Sequence, residues 1–203
     1  KPGFQLTLDG ERLAMGALRI EALHARGGLG AGNALDLSLT AADIAVTGKL
    51  LGDLDIVASG ALDAHVLRIA LSGGEITVGL EASGTLKGGA LREDFRQGFV
   101  ILPGAQHWQL QEAAVLRLAG TSIRLDAHCW GLATARLCLS DASSGPQGMA
   151  AGLRLSGFPL ASLATWLGDA MALEGTADVE FDFRHQESKV TGRLQAGLQD
   201  AAF

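Results

Sequence analysis

The chain has 203 residues and a formal net charge of −6, from 22 acidic and 16 basic side chains. Because the two signs are interspersed and only three Trp and seven Phe are present, the chain lacks the basic stripe and the stacking surface of a nucleic-acid-binding protein. Apolar residues make up 48% of it, yet no apolar run reaches the about 18 residues that a membrane-spanning helix needs.

The start of the sequence has neither the basic region nor the apolar region of a targeting segment. We therefore expect residues 1–203 to be a single segment of a longer chain whose targeting and anchoring sequences lie elsewhere. The apolar content is higher than usual for a soluble chain of this size, so part of the apolar surface is expected to serve a ligand.

Apolar and polar residues alternate along most of the chain, which is typical of β-strands with one wet face. The alternation begins at Phe4, Leu6 and Leu8 and returns repeatedly up to the middle of the sequence. The apolar side of these strands is predicted to line a hydrophobic groove. Its first members are Leu35, Leu37, Leu39, Leu67, Ile69, Leu71, Ile76, Val78 and Leu80.

Ser-Gly pairs punctuate this region at regular intervals, at Ser59-Gly60, Ser72-Gly73 and Ser83-Gly84. Gly73-Gly74 is predicted to form a hairpin turn. Short strands with such punctuation indicate a barrel, a sandwich or a repetitive sheet. A chain with no Tyr and three Trp cannot build the two aromatic girdles of an outer-membrane barrel, so a Gly-kinked repetitive sheet is favoured.

Two further stretches supply groove residues, namely Trp108 and Leu110 in the middle and Val179, Phe181 and Phe183 near the C-terminus. The last three alternate with charged residues and predict a strand with one apolar and one charged face.

The two cysteines, Cys129 and Cys138, flank a stretch that reads as two extended segments. A hairpin turning near residues 132–135 would place their sulfurs opposite each other, within bridging distance. A disulfide is therefore predicted, and with it an oxidising compartment such as the periplasm. The alternative is a pair of buried free thiols in a cytosolic protein.

One segment, residues 159–167, has a helical pattern. Leu160, Leu163 and Leu167 recur at i, i+3 and i+7 after Pro159, which suits a first helical position. The helix would be too short to stand alone, and we predict that it plugs part of the groove.

The sequence carries no recognisable catalytic or metal-binding pattern. The acidic row Asp178, Glu180 and Asp182 could attract a cation, but a solvated outer strand face explains it. The glycines of residues 27–32 are followed by strand alternation and not by a phosphate-binding helix. We predict no metal, no cofactor and no enzymatic activity. The five histidines are scattered, at His24, His65, His107, His128 and His185.

An ordered set of features spans residues 99–167: an apolar strand before Pro103, Trp108-Gln109-Leu110, Cys129 with Leu137-Cys138, and Gly157-Phe158-Pro159 leading into Trp166-Leu167. In these features the chain resembles the TamB family of the AsmA-like group, whose members are inner-membrane subunits of the bacterial translocation and assembly module. The Gly-punctuated strands of residues 35–86 fit the same family less specifically.

The resemblance implies an all-β fold: an elongated, folded-over antiparallel sheet, trough-like or taco-like, with an apolar interior and one short helix near 159–167. It implies a periplasmic location, with inner-membrane anchoring of the full-length protein through a segment absent here. The implied partners are a TamA-like outer-membrane barrel, outer-membrane protein clients such as autotransporters, and phospholipid.

Two alternatives remain open. The alternating apolar residues would fill a closed core if two sheets packed together, although the resemblance favours an open or partly filled trough. The predicted function is a periplasm-spanning scaffold that carries phospholipid between the membranes, assists outer-membrane protein assembly, or does both. The alternative is a chaperone-like module with a closed core that pairs a client β-strand with its sheet edge and conducts no lipid.

Overall fold

A computed structural model of the protein describes residues 3–104, 106–163 and 173–202. These residues form sixteen β-strands, which belong to one hydrogen-bonded sheet, and two short 3-10 turns. The prediction of an all-β, antiparallel sheet is confirmed. Contacts divide the chain into two compact units: unit 1, residues 1–88 with 95–102, and unit 2, residues 89–94 with 103–203.

Unit 1 is an antiparallel meander in which each strand pairs with the next one along the chain. Its strands are β1 (Phe4–Met15), β2 (Leu18–Leu29), β3 (Ala34–Val46), β4 (Lys49–Ala61), β5 (Ala64–Gly73), β6 (Thr77–Lys87) and residues 95–102 of β7 (Ala90–Leu102).

Tight turns connect most of these strands. Thr47 and Gly48, between β3 and β4, have φ values of +52° and +81°, and a two-residue hairpin turn of the twist-matched type requires positive φ at both positions. The predicted turn at Gly73-Gly74 lies at the end of β5. The connection continues through Ile76, so this predicted groove residue lies in a loop and not in a strand.

The pairing of β3 with β4 contains an irregularity at which only Gly fits. The register shifts between Ala41 and Ala45, and Gly52 on β4 has a φ of +102°. A Cβ atom on Gly52 would lie 2.0 Å from the carbonyl oxygen of Ser72. Gly52 is therefore the residue in the sequence that permits this bulge.

Unit 2 begins with residues 90–94 of β7 and continues through nine further strands. They are β8 (Gln106–Leu110), β9 (Ala114–Ala119), β10 (Ser122–Leu125), β11 (His128–Leu132), β12 (Ala135–Leu139), β13 (Ala142–Gly145), β14 (Gly148–Pro159), β15 (Glu174–Gln186) and β16 (Lys189–Ala202).

The short strands of unit 2 are halves of longer ones. Strands β8 and β9, β10 and β11, and β12 and β13 follow each other directly and pair with the corresponding halves of their neighbours. The interruptions fall side by side, at residues 111–113, 126–127 and 140–141, and we call this line the crease. Backbone bonds bridge it, for example from the Ser140 N–H to the Gly152 carbonyl at 2.9 Å.

The region predicted to be a helix differs from expectation. Pro159 is the last residue of β14, paired with Thr176, and a 3-10 turn covers Leu160–Leu163. The predicted helix start at Pro159 is therefore wrong. A strand can end at this proline because a proline at a strand end removes no hydrogen bond from the strand interior. Leu167 and the rest of the predicted helix lie outside the described residues.

The buried side chains of the described residues are of mixed size: small ones such as Ala41 and Ala58 occur together with large ones such as Phe95, Trp108 and Leu160. Among the described residues, no large side chain is less than 2% exposed. The large apolar side chains of the strands are therefore mostly half-covered. Within the described ranges, no helix is long and apolar enough to cross a membrane.

Candidate functional site

The strand register of unit 1 gathers the predicted groove residues onto one face. Leu39 lies opposite Ile56, Ile56 opposite Ile69, and Ile69 opposite Leu80. Parallel rows lie on either side of this one, because no register shift interrupts the pairing of β4, β5 and β6 in this stretch. The flanking rows contain Leu37, Ala58, Leu67 and Ala82 on one side and Ala41, Leu54, Leu71 and Val78 on the other.

This apolar face is only partly covered. Leu35, Leu37, Ile69 and Leu80 are half-buried. Towards β1 the face opens further, where Phe4, Leu6 and Leu8 are 58%, 64% and 55% exposed.

The opposite face of unit 1 is polar. Arg68 on β5 forms an ion pair with Glu81 on β6 at 3.1 Å, and His24 on β2 contacts Asp9 on β1. Both pairs have solvent-exposed members, so they contribute little to stability. They do show that the sheet has one apolar face and one charged face.

Unit 2 has the same two-faced character. One apolar row crosses five strands through Leu110, Trp130, Leu137, Leu155 and Val179. A second joins Leu139, Leu153 and Phe181, and Phe183 lies opposite Ala151 in the next row. The predicted groove residues of this unit therefore share one face, since Trp108 and Leu110 are two residues apart on β8 and lie on the same side of the strand.

On the apolar face of unit 2, two rings from distant strands come together. The rings of Trp108 on β8 and Phe158 on β14 lie parallel, with centroids 6.3 Å apart. Strands β11 and β12 separate β8 from β14, which in a flat sheet would place them about 14 Å apart at about 4.8 Å per strand. A centroid distance of 6.3 Å is much shorter than this separation, which indicates that the sheet curls towards this face.

This curled part of unit 2, which we call the closed end, consists of Trp108, Phe158 and the 3-10 turn of Leu160–Leu163. Trp108 and Leu160 are 6% and 5% exposed. The side-chain amide of Gln106 donates to the Ser162 carbonyl at 2.9 Å and attaches the turn to β8. Of the predicted plugging residues, Leu160 is buried here, Leu163 is half-buried, and Leu167 lies outside the described residues.

The predicted disulfide is confirmed. Cys129 on β11 and Cys138 on β12 are directly opposed and bonded, with their Cα atoms 4.0 Å apart. The free-thiol alternative is therefore wrong. Alternation places the disulfide on the charged side of the sheet, where Cys138 lies opposite Arg154, which pairs with Glu180 at 3.1 Å.

Ion pairs line the crease. Asp126 contacts Arg117, and Arg124 reaches Asp141 at 2.6 Å. The hydrogen bond from Arg117 lowers the pKa of the Asp126 carboxyl below its ordinary value. Farther along, Glu112 contacts Arg136. Asp126, Asp141 and Glu112, one at each interruption, thus each contact an arginine of another strand.

The remaining polar candidates from the sequence are spread out and serve the fold. The Asp178 carboxylate accepts hydrogen bonds from the Gly157 N–H at 2.8 Å and the Gln199 amide at 2.7 Å. The ring of His128 bonds the Asp126 carbonyl at 2.9 Å through Nδ1. Among the described residues, no group of three or more His, Cys, Asp or Glu is placed to hold a metal ion.

The alternation of the sequence does not predict Phe158 as a residue of the apolar face. A register shift lies between Leu155 and Phe158, and Gly157 within it has a φ of +60°. The extra residue exchanges the two faces of β14 and turns Phe158 onto the apolar side. The Ser156-Gly157 pair directly before Phe158 is the signal that the sequence offers for this interruption.

Comparison with known proteins gives one finding. A family model described as TamB, N-terminal domain, matches residues 1–202. No curated protein and no solved structure matches the chain.

Proposed function

The chain belongs to the TamB family, whose members are membrane-associated, periplasm-spanning proteins of an outer-membrane transport and assembly module, and we propose that its apolar face carries the acyl chains of phospholipids. The segment of residues 1–203 acts as a periplasmic scaffold between the inner and outer membranes. It performs no chemistry and needs no cofactor. Its partners are phospholipid, a TamA-like outer-membrane barrel and outer-membrane protein clients.

The observation that supports this proposal is the partly exposed apolar face of each unit. Rows such as Leu39, Ile56, Ile69 and Leu80 offer apolar surface across several strands. Each CH₂ group that leaves water for such a surface contributes about 0.8 kcal/mol. An acyl chain of ordinary length therefore gains enough to bind without any specific polar contact, while the head group stays in solvent.

The concave side of unit 2 supports the same proposal, because a curled sheet surrounds a chain on more than one side. A closed sandwich would bury several large side chains completely, and among the described residues none is below 2% exposure. The disulfide fits the periplasm, since such bonds persist in oxidising compartments.

The direct test is to purify the chain from the bacterial periplasm without detergent, extract it with organic solvent and analyse the extract by mass spectrometry. We expect glycerophospholipid at about one molecule or more per chain. After the lipid is removed, a fluorescent phospholipid should rebind, and water-soluble glycerophosphoethanolamine should not displace it. A folded, monomeric chain that neither retains nor rebinds lipid would refute the proposal.

A second candidate function is the pairing of a client β-strand with β16. This strand is exposed along its whole length, with Val190, Leu194 and Leu198 at 63%, 69% and 56%. Among the described strands, its only partner is β15. An unpaired edge of this length is a template for another strand.

The two functions respond differently to proline in β16. Gln195 and Ala196 are adjacent, so one N–H points towards β15 and the other away from it. Of Gln195→Pro and Ala196→Pro, the variant that loses the N–H bonded to β15 should be disturbed in fold. The variant that keeps the native circular dichroism spectrum is the one that has lost the outward N–H. We expect it to lose binding of an outer-membrane β-strand peptide and to keep lipid binding. Unchanged peptide binding would argue against the edge as the client site.

A further inference from the structure

We infer that Trp108 donates a hydrogen bond to the carbonyl oxygen of an acyl ester, so that the closed end of unit 2 holds the ester region of a glycerolipid. This inference rests on the proposed lipid-carrying function and adds to it a polar subsite with a defined donor. The sheet then orients the lipid as well as covering its tails.

The observation behind it is an unused hydrogen-bond donor. The Trp108 side chain is 94% buried, and among the described residues none accepts a hydrogen bond from its Nε1. A buried indole N–H is normally paired, because its desolvation is otherwise uncompensated. Phe in its place would stack on Phe158 equally well and would leave no such group. The free donor indicates an acceptor that arrives with a ligand.

The surroundings define the chemistry of that acceptor. Trp108 lies on the apolar face, beside the Phe158 ring and two residues before Leu110 on β8. The row beyond Leu110 continues through Trp130, Leu137 and Leu155. A ligand that reaches Nε1 along this row must therefore be apolar over most of its length.

The acceptor is also expected to be neutral. On β8, His107 and Gln109 alternate with Trp108 and project from the other side of the strand. The ion pair of Arg154 and Glu180 likewise belongs to the charged side. His128 shares the face of Trp108, but its ring already bonds the Asp126 carbonyl. A phosphate at Nε1 would lose its hydration without a lysine or arginine beside it, whereas an ester carbonyl needs only one donor. A long chain with a neutral carbonyl at one end is a fatty acyl ester.

The 3-10 turn is placed to admit this group. It is attached to β8 by the hydrogen bond of Gln106 with the Ser162 carbonyl, next to Trp108 along the same strand face. The carbonyl then takes the position beside the indole N–H while the acyl chain lies over Leu110 and Trp130.

The test compares two phospholipids in wild-type protein and in Trp108→Phe. One is dipalmitoyl phosphatidylethanolamine, which has two ester carbonyls, and the other is its dihexadecyl diether analogue, which has none. We expect the wild type to bind the diester about fivefold to tenfold more tightly, as one buried hydrogen bond provides. Trp108→Phe should bind both lipids with the wild-type affinity for the diether. Trp130→Phe, where the acyl chain lies, should change the affinity for both lipids by the same factor and so keep the preference for the diester.

Each outcome decides the inference. A wild type that binds both lipids equally, or a Trp108→Phe variant that keeps the preference for the diester, overturns the donor role and leaves the groove intact. A wild type that binds neither lipid overturns the proposed function as well. Trp108→Phe is expected to keep the wild-type affinity for the diether, so a variant that has lost stability and binds both lipids weakly cannot imitate the expected result.

Discussion

Ile69→Arg is expected to weaken phospholipid binding by at least about tenfold, because a guanidinium on the apolar face loses water when acyl chains cover it. Ile69 lies in the middle of a row, between Ile56 on β4 and Leu80 on β6. An arginine there cannot reach the strand edge easily. The measurement is equilibrium binding of a fluorescent phospholipid to the delipidated chain.

Ala70→Arg is the matched control for this variant. Ala70 follows Ile69 on the same strand, lies on the charged face, is exposed and faces Asp55 on β4. We expect Ala70→Arg to bind lipid like the wild type. Both variants are compared by circular dichroism and thermal unfolding, so that a loss of fold is not read as a loss of binding. Equal binding by both folded variants would contradict an apolar lipid site in unit 1.

Replacing both cysteines, in Cys129→Ala/Cys138→Ala, is expected to lower the free energy of unfolding by about 2–3 kcal/mol. The disulfide closes a short loop with a sequence separation of 9 residues, and its removal frees the unfolded chain. The loss should be concentrated in unit 2, where β11 has only a short pairing with β8, at Trp130 and Gly131.

Urea unfolding followed by tryptophan fluorescence measures this effect, because Trp108 and Trp130 both report on unit 2. Dithiothreitol should lower the midpoint of the wild type to that of the double variant and leave the variant unchanged. Identical midpoints of the two proteins under oxidising conditions would show that the disulfide contributes nothing to the stability of this unit.

Alternation in the sequence predicts the strands well, and also which side chains share a face, where the pairing is regular. The spacing of Leu37, Ile69 and Leu80 predicts one common face, and the register of unit 1 places them on one face. The reason is physical: in an uninterrupted strand each second side chain returns to the same face. The disulfide could be predicted for a similar reason, since a short hairpin leaves few positions that face each other.

Features that depend on interruptions could not be predicted in this way. The bulge before Phe158 exchanges the two faces of β14, and Ile76 falls in the loop before β6. The crease arises because interruptions in neighbouring strands coincide, and strand pairing alone decides that. The contact of Trp108 with Phe158 depends on the curvature of the sheet, to which residues distant in the sequence contribute.

The most direct test of the central claim is photocrosslinking in cells, with a photoreactive residue at Ile69 or Val78 on the apolar face and at Arg68 or Thr77 on the charged face as controls. The account predicts phospholipid adducts at Ile69 and Val78 and none at the controls. Well-folded protein with no adduct at the first pair, or with equal adducts at all four positions, would contradict a lipid-occupied apolar face.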